Sequence, residues 1–172
     1  MTAGTGTNSA VGTSSTSGMN SMLEICAFNA AYARAIDTDA LEQWPAFFTE
    51  RCHYRITHVE NEQEGLPAGI VWADSRAMLE DRVSALREAN IYERQRLRHL
   101  LGMPVVLKQD DKSIEAETPF IVVRIMGTGQ TELFASGAYS DRFERHDGRL
   151  VLAERVAVCD STVTDTLLAL PL

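Results

Sequence analysis

His53 and His58 stand five residues apart in CHYRITHVENEQE, with Glu60 and Glu64 close behind. Two imidazoles and a carboxylate converging on one ion make a non-haem iron site. The segment Cys52–Thr57 alternates as a half-buried strand does. On a strand an offset of five sends two side chains to opposite faces, so the pair reads as two ordinary histidines near a strand end. Arg94, Arg96 and Arg98 recur at period two beside His99. One strand face then carries these guanidinium groups, as a solvated or partner-paired face or as a carboxylate clamp. Acid–base chemistry in an apolar pocket would draw on Tyr32, Asp37, Tyr54, His99 or Asp141. Their spacing is equally that of core tyrosines and surface acids. The chain has no Gly-rich phosphate loop, no G-x-S-x-G, no H-E-x-x-H and no C-x-H with a C-x-x-H partner. No catalytic, cofactor-binding or metal-ligating residue is assigned.

Composition narrows the classes further. The 172 residues fit one domain, and the net charge of −8 argues against a nucleic-acid or anionic-membrane surface. Lys108 and Lys112 are the only lysines; the other cations are arginines, which suit bidentate carboxylate pairing at subunit contacts. Cys26, Cys52 and Cys159 are widely spaced, without C-x-x-C, as expected of reduced, buried thiols in a cytoplasmic protein. No apolar run approaches the ~18 residues of a membrane span. Residues 1–20 are rich in Gly, Ser and Thr and lack the basic start and apolar core of a signal peptide. They are expected to be a disordered leader outside a single domain of residues 21–172.

The elements that must position these side chains follow in order. Met22, Ile25, Phe28, Ala31, Tyr32 and Ile36 recur at helical spacing and predict a helix over 21–36. Asp39 with Glu42 predicts a capping box for a second helix, broken at Trp44–Pro45. A first strand at Cys52–Thr57 and a polar loop at 61–67 lead to a short buried strand at Gly69–Ala73. A helix capped by Asp74 or Ser75 runs to about Ala89, burying Met78, Leu79, Val83 and Leu86. Strands then follow at 94–101, 104–107, 114–126, 133–143 and 150–159. A bulge is predicted where apolar parity changes near Thr118–Pro119. Leu133, Ala135, Tyr139 and Phe143 are read as inward, and His146-Asp147-Gly148 as a hairpin turn. The Leu-rich end (Leu167, Leu168, Leu170) and the alternating arginines are the candidate partner surfaces. This order is α+β: a curved, cone-like mixed or antiparallel sheet with N-terminal helices packed over it.

FNAAYARAID, LEQWPAFFTERCHYRIT, GIVWADSRAMLEDRVSALREANIYERQRLRHLLG, ETPFIVVRIMGTGQTELFASGAYSDRF and ERVAVCDSTVTDTLLALPL cover nearly everything after residue 24. In these segments the chain resembles the small (β) subunits of aromatic-ring-hydroxylating Rieske oxygenases. The resemblance implies a cone fold similar to nuclear transport factor 2 and scytalone dehydratase. It implies a structural subunit of an aromatic-acid dioxygenase, with no cofactor of its own, assembled with a large α subunit as a trimer of αβ pairs. In that family the α subunit carries the Rieske 2Fe–2S cluster and the mononuclear Fe(II), and a separate reductase supplies electrons from NADH or NADPH. The missing C-x-H…C-x-x-H pattern agrees with a chain that holds no Rieske cluster. The competing reading is a stand-alone cone-pocket enzyme, an isomerase or dehydratase using Tyr54, His99 or a buried Asp.

Overall fold

A single long helix and one twisted sheet make most of the molecule. The computed structural model describes residues 11–66, 69–88, 95–162 and 170–172, with side chains from residue 17 onward. Helix α1 (Val11–Asp37) begins ten residues before the start predicted at Ser21. Thr and Ser are merely weak helix formers, and only Gly18 strongly opposes helix in that stretch. The expected leader therefore enters the helix at Val11, and its first ten residues lie outside the described ones. The buried face of α1 is Ile25, Asn29, Tyr32 and Ile36, one stripe at i, i+4, i+7 and i+11.

The second helix differs from its prediction. Leu41–Phe47 is a 3-10 helix with Pro45 inside it, and its entry has no side-chain cap. Asp39 has a positive φ of 60°, and its carboxylate and that of Glu42 both bind Arg87, at 2.8 and 2.7 Å. Proline at 45 disfavours α geometry at Trp44, and the tighter i→i+3 spiral carries the chain past it. β1 (Phe48–His58) follows, then the short α2 (Val59–Gln63). β2 (Val71–Ala73) is an edge strand with only Ala73 buried, not the buried strand expected, because nothing pairs beyond it among the described residues. α3 (Arg76–Glu88) buries Leu79, Val83 and Leu86, and the Ser75 hydroxyl accepts from the Met78 amide at 3.4 Å. The helix end predicted at Ala89 and the strand start predicted at Arg94 lie outside the described residues.

The sheet contains β3 (Gln95–Leu101), β4 (Val105–Gln109), β5 (Ser113–Met126), β6 (Thr131–His146) and β7 (Arg149–Cys159) in addition to β1 and β2. Its order is β2-β1-β7-β6-β5-β3, with β4 also on β5. β1 pairs with β7 in parallel and all other pairings are antiparallel, so the sheet is mixed. α1 packs against β3, β4 and β7, closing the concave side. Among the described residues no helix is long and apolar enough to cross a membrane.

The bulge predicted at Thr118–Pro119 is absent from β5, where Ile114, Ala116, Thr118, Phe120, Val122 and Arg124 all point inward. Two inward residues are polar and Ile121 is exposed, which makes the apolar parity only look switched. The interruption falls on the neighbour: β3 and β4 share one edge of β5 and part at Gly102, whose amide donates to the Pro119 carbonyl at 2.8 Å. A real irregularity lies at Val122–Val123, opposite Ala135 and Leu133. It reverses parity on β6, so Tyr139 and Phe143 are buried as expected while Leu133 is 66% exposed. At the hairpin, Asp147 and Gly148 both have positive φ, the type I′ geometry.

Gly137 lies where β6 and β7 approach closely: a Cβ there would stand 2.0 Å from the Val158 carbonyl oxygen. Gly137→Ala is therefore expected to lower unfolding free energy by about 2 kcal/mol or more, measured by urea denaturation. Wild-type stability in that variant would show that the strands part easily at this point.

Candidate functional site

The residues with chemical potential fall into two groups around α1. At the centre of the cone, Arg155 of β7 and Asp141 of β6 form a fully buried ion pair, with Nε and Nη2 donating at 2.8 and 2.7 Å. Nη2 also donates to Asn29 Oδ1 of α1 at 2.6 Å, and Asn29 Nδ2 donates to Thr118 Oγ1 of β5 at 3.1 Å. The guanidinium lies between the rings of Tyr32 and Tyr139, 4.2 and 4.1 Å from their centroids. Burial pushes the Asp141 carboxyl above its ordinary range, and the Arg155 charge opposes that rise. Burial also works against the Arg155 charge, but Asp141 more than offsets it and lifts Arg155 above its usual value.

The tyrosines are spent on structure. Tyr32 accepts from Trp44 Nε1 at 2.8 Å and donates to the Leu172 main-chain oxygen at 2.9 Å. Tyr54 OH donates to the same oxygen at 3.3 Å and accepts from the Leu172 amide at 3.1 Å. Leu170 and Leu172 are thus part of the core; Leu167 and Leu168, the other residues expected on an apolar partner surface, lie outside the described residues. Burial raises the pKa of Tyr32, Tyr54 and Tyr139, which keeps all three phenols protonated and unsuited to act as bases near neutral pH.

At the end of α1, Asp37 Oδ1 meets His99 Nδ1 at 2.7 Å, and the His99 amide donates to Oδ2 at 3.1 Å. Arg98 approaches the same carboxylate at 3.7 Å. A carboxylate orienting an imidazole is half of an acid–base pair. The working half is missing, because the His99 ring is wholly buried and its Nε2 has no hydrogen-bond partner among the described residues. A cleft of about 430 Å³ lies alongside, lined by Ala33, Arg34, Asp37, Thr38, Arg98 and His99, but Nε2 offers no exposed surface to it. The structure therefore unites Asp37 with His99, and Tyr32 with Asp141, but gives neither pair access to a substrate. Tyr54 belongs to the second group only as a tie to Leu172.

His53 and His58 lie on opposite faces of β1, paired with Glu154 and Cys159 of β7. Among the described residues no three His, Cys, Asp or Glu side chains converge as a metal site, so the donors needed for a Rieske cluster or a mononuclear iron do not fit here. Cys52 and Cys159 are buried and their thiols are pushed up to about 11 by burial, leaving them protonated and inert. Arg155, Asn29 and Thr118 escape the sequence reading. Their signal is a polar residue at a position whose helix or strand period points inward.

This architecture is that of the nuclear-transport-factor-2-like fold class. A scytalone-dehydratase-like protein of Novosphingobium aromaticivorans has the same fold, with a TM-score of 0.65 at 13% identity over 86% of this chain and 89% of that one. Residues 31–166 match the family described as ring hydroxylating beta subunit, and the chain belongs to that family of dioxygenase subunits. It is 65% identical over 150 residues, 87% of this chain and 97% of the relative, to the terephthalate 1,2-dioxygenase terminal oxygenase component subunit beta 1 of Comamonas sp.. A crystal structure of the β subunit of an aromatic-ring-hydroxylating dioxygenase from Novosphingobium aromaticivorans superposes with a TM-score of 0.83 at 38% identity, over 90% of this chain and 98% of that one.

Removing one partner of a buried ion pair leaves the other charge unpaired. Arg155→Met is expected to destabilise the chain by about 3–5 kcal/mol, while Arg155→Met with Asp141→Leu recovers most of that loss. Equal destabilisation of the single and double variants in chemical denaturation would mean that the pair is not the unit.

Proposed function

We propose that this chain is the non-catalytic β subunit of the terminal oxygenase of a terephthalate 1,2-dioxygenase. The observation that carries this reading is 65% identity across 97% of the Comamonas subunit. In the proposed assembly three αβ pairs form a cytoplasmic hexamer. The α subunit holds the Rieske cluster and mononuclear Fe(II), and a separate reductase delivers electrons from NADH or NADPH. In the net reaction terephthalate, O2, NAD(P)H and a proton give a cis-dihydrodiol dicarboxylate and NAD(P)+. Both oxygen atoms become hydroxyls on adjacent ring carbons, and the nicotinamide supplies two electrons.

This chain's own part is mechanical. Its buried Arg155–Asp141 pair and its aromatic core hold one rigid shape, and rigidity is what a scaffold contributes to a partner's geometry. The stand-alone enzyme reading has less support, since Tyr54 is bonded to Leu172, Asp141 to Arg155, and His99 Nε2 is enclosed.

The test is co-expression with the large subunit of a ring-hydroxylating dioxygenase. The expected result is one iron-bearing complex with the mass of three αβ pairs and terephthalate-dependent O2 uptake. His53→Ala with His58→Ala is expected to leave its iron content unchanged. Turnover by the isolated chain, or iron lost in step with those histidines, would overturn the proposal.

A further inference from the structure

We infer that the centre of the cone is a binding site for a small aromatic carboxylate, held shut by residues 170–172 of the chain itself. The inference goes beyond the dioxygenase reading. It concerns binding, not turnover, and depends on neither the ring-hydroxylation substrate nor the large subunit.

Residues 170–172 sit in the cone as a ligand sits in a pocket. All three are buried, Leu172 completely. The hydroxyls of Tyr32 on α1 and Tyr54 on β1 converge on one Leu172 oxygen, and the Trp44 indole donates to Tyr32 from behind. The rings of Trp44, Phe48 and Tyr54 meet edge to face around this point, and Phe120 stacks on Tyr139 at 4.5 Å. Flat aromatic walls with a few convergent hydrogen-bond donors are the composition of a pocket for a planar acid.

The resident segment leaves the site's polar groups incompletely paired. Among the described residues, Arg155 Nη1 and the Tyr139 hydroxyl are buried without a hydrogen-bond partner, although buried polar groups are nearly always paired. Asp141 takes Nε and Nη2 of Arg155, which leaves the Nη1 side of the guanidinium for another acceptor. The Arg155 charge acts on the Tyr32 hydroxyl, against the rise that burial imposes. The Arg82 charge of α3 acts in the same way on Tyr54, again against burial. Two guanidinium charges thus reach the hydroxyl cluster from different elements, which favours an anionic ligand over a neutral one. A carboxylate has two oxygens to offer: one replaces Leu172 at Tyr32 and Tyr54, and the second serves donors that residues 170–172 do not reach.

Access runs from the end of α1. Leu170 belongs to the core and also lines the cleft of about 670 Å³ beside β3, so it is the wall between that cleft and the cone centre. Ile36, Leu97 and Ile125 give the cleft an apolar floor. Arg96 and Arg98, both exposed, line it and draw anions toward it. Asp37 and Asp39 line it too, but each is already paired, with His99 and with Arg87.

The test uses the full chain with Trp72→Phe, which leaves Trp44 as the only tryptophan. Deleting residues 170–172 is expected to let benzoate quench Trp44 emission saturably, at concentrations at least about tenfold below those that act on the undeleted chain. Benzamide, similar in shape but uncharged, is expected to have no such effect. Tyr139→Phe in the deleted chain should weaken benzoate binding about tenfold, the loss of one hydrogen bond to a charged group. Should the deleted chain not fold alone, benzoate is expected to restore its folded signal, as a ligand of the folded state alone does. A deleted chain that benzoate neither quenches nor refolds would sink the inference. So would equal action of benzamide, equal action of benzoate on the undeleted chain, or benzoate binding indifferent to Tyr139→Phe.

Discussion

A guanidinium and a carboxylate with no access to water impose the strongest constraint on this fold. Each loses hydration worth several kcal/mol, so Arg155 and Asp141 are tolerable only where their surroundings replace it. Asn29 on α1 and the faces of Tyr32 and Tyr139 surround the guanidinium, and Thr118 on β5 holds Asn29 in place. Four elements must arrive in register before the charges are compensated. Displacing α1 by one residue would carry Asn29 away and leave a carbonyl-type acceptor missing from the cluster. Such a network specifies arrangement more than it adds stability.

The architecture was legible because its periodicities are strong. The α1 stripe, the α3 stripe and the β6–β7 hairpin all follow from residue types at helical or alternating spacing. The failures have common causes. Asp39 and Glu42 carry the local pattern of a helix cap, but a distant arginine, Arg87, competes for both carboxylates. At Thr118 and Leu133 the rule that apolar residues point inward misleads. The former is buried because Asn29 satisfies its hydroxyl, and the latter is turned out by an irregularity that one strand alone cannot reveal. The Asp37–His99 contact spans 62 residues and has no local signature, whereas both residues were nominated singly on type alone.

Family membership and geometry point to a division of labour. The cone fold serves pocket enzymes and scaffolds alike, and here its centre is filled by aromatic side chains. Trp44, Tyr54, Phe48 and Tyr139 are all fully buried, and the edge-to-face contacts among Trp44, Phe48 and Tyr54 have centroid separations of 5.1–5.8 Å. This aromatic packing occupies the centre of the cone, and the clefts lie outside it, along the end of α1 and the start of β3.

The bond from Tyr32 to Leu172 joins residues 140 apart in sequence, and the parallel pairing of β1 with β7 joins another two distant segments. Contacts this remote repay the entropy of closing their loops only after most of the sheet exists. The cone therefore closes only when both ends of the chain are in place: without the C-terminal segment Tyr32 and Tyr54 lose their Leu172 partner, and without β7 the strand β1 loses its parallel neighbour.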